Sequence, residues 1–390
     1  MIYDMSAEKI GNQVKPSPLI SVVIPAYQAV NTIKRAVDSV LSIPLGSIEV
    51  IVVDDGSTDG TTEVLSEISA SDTRLRVVRQ DNSGRSVARN SGFGFSSGKW
   101  VMFLDADDYL LPGAFCSLIE RAENSTADLV VFGMKKSDGM DQFGNSASWD
   151  SEGRDACNLE PVFVCAEDVA AAMIEDERYS FVMDRWKYES NSSCSRLYRR
   201  EQVLSLVIEK EFGFKPFPAG VKFSEDRLFN IALLKAMGHK PVEFDPVPLY
   251  FWDLDESSTC AQVSADDART LFSFLTKVSD IKSAGLLLDL EADEISSREV
   301  FVHFQRAFRG TSIVGDALKA DLLAVLSDSY IQRAMQSLPK DCIESSRVWG
   351  FAAHLIAHGH SRLAYDICSY LARAKSAFNL FLKLLRLDVE

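Results

Sequence analysis

A chain of 390 residues has room for two or three domains, and its 46% apolar and 25% charged residues exclude a disordered polymer. With 41 Lys+Arg against 56 Asp+Glu, the formal charge is −15. That excludes a general nucleic-acid binder, which needs clustered cations against phosphates.

A polar lead, residues 1–18, is followed by short apolar runs that alternate with helical patterns. Strands are predicted at Leu19–Pro25, Glu49–Val53, Leu75–Val78, Trp100–Leu104 and Asp128–Phe132. Helices are predicted between them at Asn31–Leu41, Ser57–Ile68, Ser86–Phe95 and Pro112–Glu123. These strands are apolar throughout, as when helices cover both faces of a sheet. The alternation implies an α/β fold with a doubly wound, mostly parallel sheet and ligands at the strands' carboxyl ends. Residues 134–160 read as a surface excursion rich in Gly, Ser and Asp. Further helices are expected at Ala166–Glu175 and Ser224–Met237, then two extended runs, Pro241–Phe244 and Pro248–Trp252. Residues 261–390 carry helical spacing, as in Leu271, Phe274, Leu275 and Val278, and imply a separate all-α C-terminal domain. The acids concentrate in the first 260 residues, net −14, while 261–390 come to −1.

Seven scattered cysteines with no C-x-x-C pair argue against a disulfide framework or zinc ribbon and for a reducing compartment. No basic stretch leading into an apolar run opens the sequence, and no apolar run approaches about 18 residues. Neither a signal peptide nor a membrane-spanning helix is therefore expected, and the expected location is cytoplasmic.

Chemistry gathers at two strand ends. Asp54-Asp55-Gly56-Ser57-Thr58-Asp59 follows the second strand, and Asp105-Ala106-Asp107-Asp108 follows the fourth. Either cluster alone would serve as a turn and helix cap. Both together, at the ends of two buried strands, point into one ligand crevice. Crowded carboxylates stay ionised when they share a cation, and hard oxygens suit Mn²⁺ or Mg²⁺.

Four segments, Ile24-Pro25-Ala26-Tyr27, Val52 to Asp59, Ser86-Val87-Ala88-Arg89-Asn90-Ser91-Gly92 and Phe103 to Asp108, closely resemble family 2 glycosyltransferases in order and spacing. The likeness covers about residues 19–133 and continues more loosely through Ser195–Arg200 and Ser224–Asn230. It implies the nucleotide-diphospho-sugar transferase (GT-A) fold over 19–260, with a nucleotide-binding half at 19–133 and an acceptor half at 134–260. It implies a nucleotide-sugar donor, a glycan or lipid-linked glycan acceptor, and a divalent metal. By the same resemblance Tyr27, behind Pro25 and Ala26, would stack on the base. Asp54 and Asp55 would lie at the nucleotide, with Asp55 on the base edge. Arg89 would sit near the diphosphate, Asp105 near the ribose or sugar, and Asp107 on the metal. Asp226, beside Glu225, would take the proton from the acceptor hydroxyl, with inversion at the anomeric carbon. From the residues alone, Ser224-Glu225-Asp226 also reads as a helix N-terminus with capping and dipole preferences.

One departure stands out. Where many relatives carry Arg and His after the last strand, this chain places Asp253 and Asp255. Asp255 then becomes a candidate metal ligand. The substitution also keeps open a sugar-nucleotide-binding or scaffold protein without turnover. A nucleotidyltransferase, the third alternative, would want a Gly-rich loop with Lys or Arg, which Pro25–Ala29 is not. His354 and His358 share a helix face without an obvious third zinc ligand. The amphipathic stretch 371–390 suits packing on the helical domain or on a second copy in a homo-oligomer, with peripheral membrane contact as the other reading.

Overall fold

The structure is a computed structural model, and it describes residues 3–4, 18–43, 48–136, 161–175, 180–183, 186–189, 192–206, 216–221, 223–253, 266–309, 323–324, 326–338, 347–364 and 366–368. They fall in two compact units, Met1–Gly220 with Ser224–Asp255, and Val221–Phe223 with Glu256–Glu390.

The first unit is built on a ten-stranded sheet. Its parallel centre consists of β2 (Ile20–Ala26), β3 (Ile48–Asp54), β4 (Leu75–Arg79) and β5 (Trp100–Phe103), in the order β4-β3-β2-β5. A short β1 (Tyr3–Asp4) closes one edge antiparallel to β4. Beyond β5 the sheet is mixed. The next strand in space is β11 (Arg196–Arg199), antiparallel both to β5 and to β7 (Leu129–Lys136). Outside β7 lies β12 (Pro241–Trp252), parallel to it and flanked antiparallel by β6 (Tyr109–Leu110) and β8 (Val162–Cys165). A separate hairpin pairs β9 (Ser180–Met183) with β10 (Trp186–Glu189).

Helices α1 (Ile33–Leu41), α2 (Thr61–Ser71), α3 (Arg85–Phe95) and α4 (Phe115–Asn124) follow the first strands; α5 (Ala166–Glu175), α6 (Arg200–Leu204) and α7 (Glu225–Met237) follow later ones. The core is the apolar inventory of the strands: Val22, Ile24, Val50, Val52, Trp100 and Met102 have essentially no solvent contact. A crossover helix needs a close seat on such a sheet, and Gly92 provides it. A Cβ built there would lie 2.3 Å from Val23 Cγ1, so only glycine lets α3 settle at this depth.

The second unit is helical as expected, with α8 (Asp266–Ser283), α9 (Asp289–Arg309), α10 (Ser329–Gln336) and α11 (Arg347–Ala357). The spaced residues Leu271, Phe274, Leu275 and Val278 are all buried. Among the described residues no helix is long and apolar enough to cross a membrane. Cys116, Cys165, Cys194 and Cys368 are free thiols. Residues 137–160, 254–265 and 371–390, and with them Asp255 and the amphipathic tail, lie outside the described residues.

Candidate active site

Strand β5 ends at Phe103, and the chain turns through Leu104 into the loop that bears Asp105, Asp107 and Asp108. Their ligand oxygens all lie within 4.8 Å of one another, and this is the one such cluster of three among the described residues. The three carboxylates are not equivalent. Asp108 is buried; the Tyr250 hydroxyl donates to its Oδ2, and the Asp253 amide donates to its Oδ1 at 2.8 Å. Burial, then the charges of Asp105 and Asp107, push Asp108 up to about 8. Asp107 is pushed up to about 6 by burial, then by Asp105 and Asp253. Burial would raise Asp105 too, but the Arg89 guanidinium outweighs it and holds that carboxyl below its usual range. Two carboxyls poised to hold protons beside a third that is ionised are a donor set short of positive charge. All-oxygen ligands suit Mn²⁺ or Mg²⁺, with Asp107 and Asp105 as the groups that would hold the ion.

Arg89, on the buried face of α3, is the hub. Its Nη2 donates to Asp105 Oδ1 at 2.7 Å, and its Nη1 to Asp226 Oδ1 at 2.8 Å and Glu225 Oε1 at 3.1 Å. Only 1% of the side chain is exposed, and Nε is buried without a partner. Burial alone would weaken the charge, but Asp226, Asp105 and Glu225 overcome it and raise Arg89 further above its usual range. The guanidinium also lies 5.3 Å from the Phe217 ring centroid. The Asn90 amide fixes Phe217 with two bonds, donating to its carbonyl at 2.7 Å and accepting from its N–H at 2.9 Å.

Glu225 and Asp226 open α7, yet the expected capping is absent. Ser224 sits at the N-cap with φ 60° and no side-chain capping bond. The two acids turn to the arginines of α3 instead. Glu225 is 1% exposed and binds Arg85 through both oxygens, at 2.5 Å from Nε and 3.0 Å from Nη2, besides Arg89. Asp226 is 19% exposed, and its Oδ2 accepts from the Ser193 amide at 3.1 Å and hydroxyl at 3.0 Å.

The β3 end forms a second group. Asp54 is fully buried, accepting from the Ser57 amide at 2.9 Å and the Thr62 hydroxyl at 2.5 Å. Asp55 is 3% exposed and accepts from Gln80 Nε2 at 2.7 Å, Ser83 N at 2.9 Å and Gly84 N at 2.8 Å. Tyr27 is 54% exposed and follows Pro25 and Ala26, which pair with Val53 and Asp54 across the sheet. The next residue, Gln28, holds φ 52° and anchors the turn by accepting from the Thr58 amide at 2.8 Å. A left-handed non-glycine residue costs about 1–2 kcal/mol, so its presence beside Tyr27 is imposed by the turn.

Thus Arg89, Asp105, Glu225 and Asp226 come together, with Asp107 adjacent, while Asp54 holds the 57–62 turn and Asp55 the 80–84 loop. Arg85, Ser193, Phe217 and Tyr250 were missed from sequence. Arg85 carried a signal, being one helical turn before Arg89 on the same face. The others lie on segments whose neighbours in space are distant in the chain. His354 and His358 have ring centroids 4.1 Å apart but join no metal-binding cluster among the described residues.

The parallel centre, the acidic loop after β5 and the buried arginine facing it define the nucleotide-diphospho-sugar transferase class of fold. Comparison agrees. The S. aureus TarS 1–349 structure in complex with UDP-GlcNAc shares the fold, with a TM-score of 0.60 and 17% identity over 92% of both chains. Residues 21–204 match the family model described as glycosyl transferase family 2. Among curated relatives, the uncharacterized glycosyltransferase EpsJ of Bacillus subtilis is 29% identical over 221 residues, covering 56% of each chain. A hyaluronan synthase of Pasteurella multocida is 41% identical over 97 residues, 25% of this chain and 10% of that one. The chain thus spans about half of the first relative and a small fraction of the second.

Proposed function

We propose that residues 19–260 transfer a sugar, with inversion, from a nucleotide-diphospho-sugar, most simply a UDP-sugar, to a hydroxyl of a glycan or lipid-linked glycan. The observation that carries this reading is that Arg89 joins the Asp105–Asp108 cluster to Asp226, bonding Asp105 through Nη2 and Asp226 through Nη1. The relatives named above as glycosyltransferases, and the UDP-GlcNAc in the TarS structure, favour that donor class.

Tyr27 supplies an exposed face for the base, above Pro25 and Ala26, and Asp55 borders it by holding the 80–84 loop. Asp107, with Asp105, would hold the divalent ion. When bound, that ion neutralises the donor's diphosphate and the charge that develops as it leaves. Asp226 takes the proton. Three donors fill three of the roughly four lone-pair sites of its carboxylate, leaving one toward solvent for an acceptor hydroxyl. The acceptor oxygen forms the new bond to the anomeric carbon. The old carbon–oxygen bond breaks, and its electron pair departs with the diphosphate. Glu225, expected beside Asp226 as a catalytic group, is assigned instead to holding Arg85 and Arg89, because both its oxygens are bound and buried. The reaction belongs in a reducing cytoplasm, with membrane contact through 371–390 testable by flotation of the full chain.

Donor hydrolysis and transfer with Mn²⁺, compared between wild type and Asp107→Ala, test the assignment. Metal-dependent turnover should fall by about 100-fold or more in the variant. Equal turnover in both would overturn it; nucleotide-sugar binding with no turnover in wild type would favour the non-catalytic alternative.

A further inference from the structure

We propose that Arg35 of α1 is the cation that engages the donor's diphosphate, and that Asp253 holds it in place until the donor arrives. The proposal rests on reading the site as a nucleotide-sugar site. It answers the charge problem raised by Asp253, an acid set beside an already acidic loop.

The obvious cations are committed elsewhere. Arg89 is buried under three carboxylates, and Arg85 is gripped by Glu225 through two nitrogens. Arg35 differs. It donates to the Asp107 carbonyl at 2.5 Å, so it borders the acidic loop, and it pairs with Asp253 Oδ2 at 2.7 Å. Its guanidinium lies 4.9 Å from the Tyr109 ring centroid, and Tyr109 stacks on Phe251 at 4.6 Å. This seat orients the plane. Both bonds use Nη2; among the described residues Nη1 and Nε carry none. Nη2 belongs to both two-nitrogen edges of the guanidinium, so departure of Asp253 frees an edge that matches phosphate oxygens, on a side chain 43% exposed.

Asp253 is 33% exposed, and a pair this open to water holds weakly. A diphosphate carries more charge than one carboxylate and can displace it. Meanwhile the Asp253 amide keeps its bond to Asp108, so the loop is not released when the side chains part. Asp253 thus acts as a resident anion that keeps Arg35 extended over an otherwise acidic loop.

The test uses the full chain with Mn²⁺. UDP, GDP, CDP and dTDP are titrated against wild type by calorimetry, and the tightest is carried forward with its parent nucleoside, whose binding is followed by saturation-transfer NMR. Arg35→Ala should weaken the diphosphate by about tenfold, the worth of one charge-assisted contact, and leave the nucleoside within about twofold. Arg35→Lys should restore part of the loss. Asp253→Asn should tighten the diphosphate by roughly threefold, because it removes the competing anion. A latch with only a structural role predicts the opposite sign: Arg35→Ala and Asp253→Asn would weaken diphosphate and nucleoside alike, and that result overturns the proposal. So does an unchanged diphosphate affinity in Arg35→Ala when wild type binds well. Wild type that binds none of the four nucleotides overturns the nucleotide-sugar reading itself, and the role of Arg35 with it.

Discussion

Glu225 and Asp226 are neighbours of like charge at the start of one helix, yet their surroundings divide the work between them. Glu225 is sealed against two arginines: without its charge, half-buried Arg85 would lose both bonds to it, and buried Arg89 would keep only Asp105 and Asp226. Asp226 keeps an open edge. Replacing Glu225 by Gln should therefore cost about 3–5 kcal/mol of stability, the usual penalty for breaking a buried pair. Asp226→Asn should leave thermal stability nearer wild type while lowering turnover by about 10²- to 10⁴-fold, as removal of a general base does. Thermal unfolding and donor turnover measured on both variants check this. The division fails if Glu225→Gln folds normally and loses only activity. The resemblance pointed to Asp226 as the proton acceptor, but the separate role of Glu225 was not readable in the sequence, where Ser224-Glu225-Asp226 looks like a capping motif. Arg89 lies 136 and 137 positions away from these acids, and nothing local signals so distant a partner.

At the scale of elements, what could be read was what local physics dictates. The central parallel strands are apolar on both faces, so their runs stood out, as did the carboxylates at their ends. Strand β11 was missed because Arg-Leu-Tyr-Arg is short and half polar; its two antiparallel neighbours make it a strand. The runs 241–244 and 248–252 are one strand, β12, since the ladder to β7 continues past Pro246 and Pro248 with register shifts between Asp245 and Tyr250. That continuity matters to the site, because it carries Tyr250 and Asp253 up to Asp108. Helix α3 offers the sharpest test. Gly92→Ala must displace Val23 or lift the helix, an overpacking cost of about 1–3 kcal/mol. Because α3 also bears Arg85 and Arg89, the variant should lose turnover beyond what its lower melting temperature explains. If a Gly92→Ala protein melts and turns over like wild type, the close seat of α3 is wrong.

At the scale of the whole molecule, the charge of −15 resolves into parts with different meanings. The acids in the first unit include Asp54, Asp59 and Glu225, which are spent on turns and buried pairs. Asp107 and Asp108 are different: among the described residues neither carboxyl forms an ion pair, and burial and neighbouring acids push both upward despite the charge of Arg35 near Asp107. Between their unfolded value of 3.8 and their folded values of about 6 and about 8, the native state binds more protons than the unfolded chain. Their contribution is therefore fully present below the unfolded value and is lost as pH rises through about 6 and then about 8. A divalent ion restores what ionisation removes, so calorimetry should show Mn²⁺ raising the melting temperature more at pH 8 than at pH 6. The chain divides into two compact units, and the acidic loop belongs to the first. Ligand at about 100 times its Kd adds about 2.7 kcal/mol to whatever unfolds with the site. Mn²⁺ with UDP should thus move the transition of the unit bearing Asp107, and Asp107→Ala should abolish that movement at both pH values. A shift of equal size at pH 6 and pH 8, or one that survives Asp107→Ala, would mean that the ion binds elsewhere and that Asp107 is not its ligand.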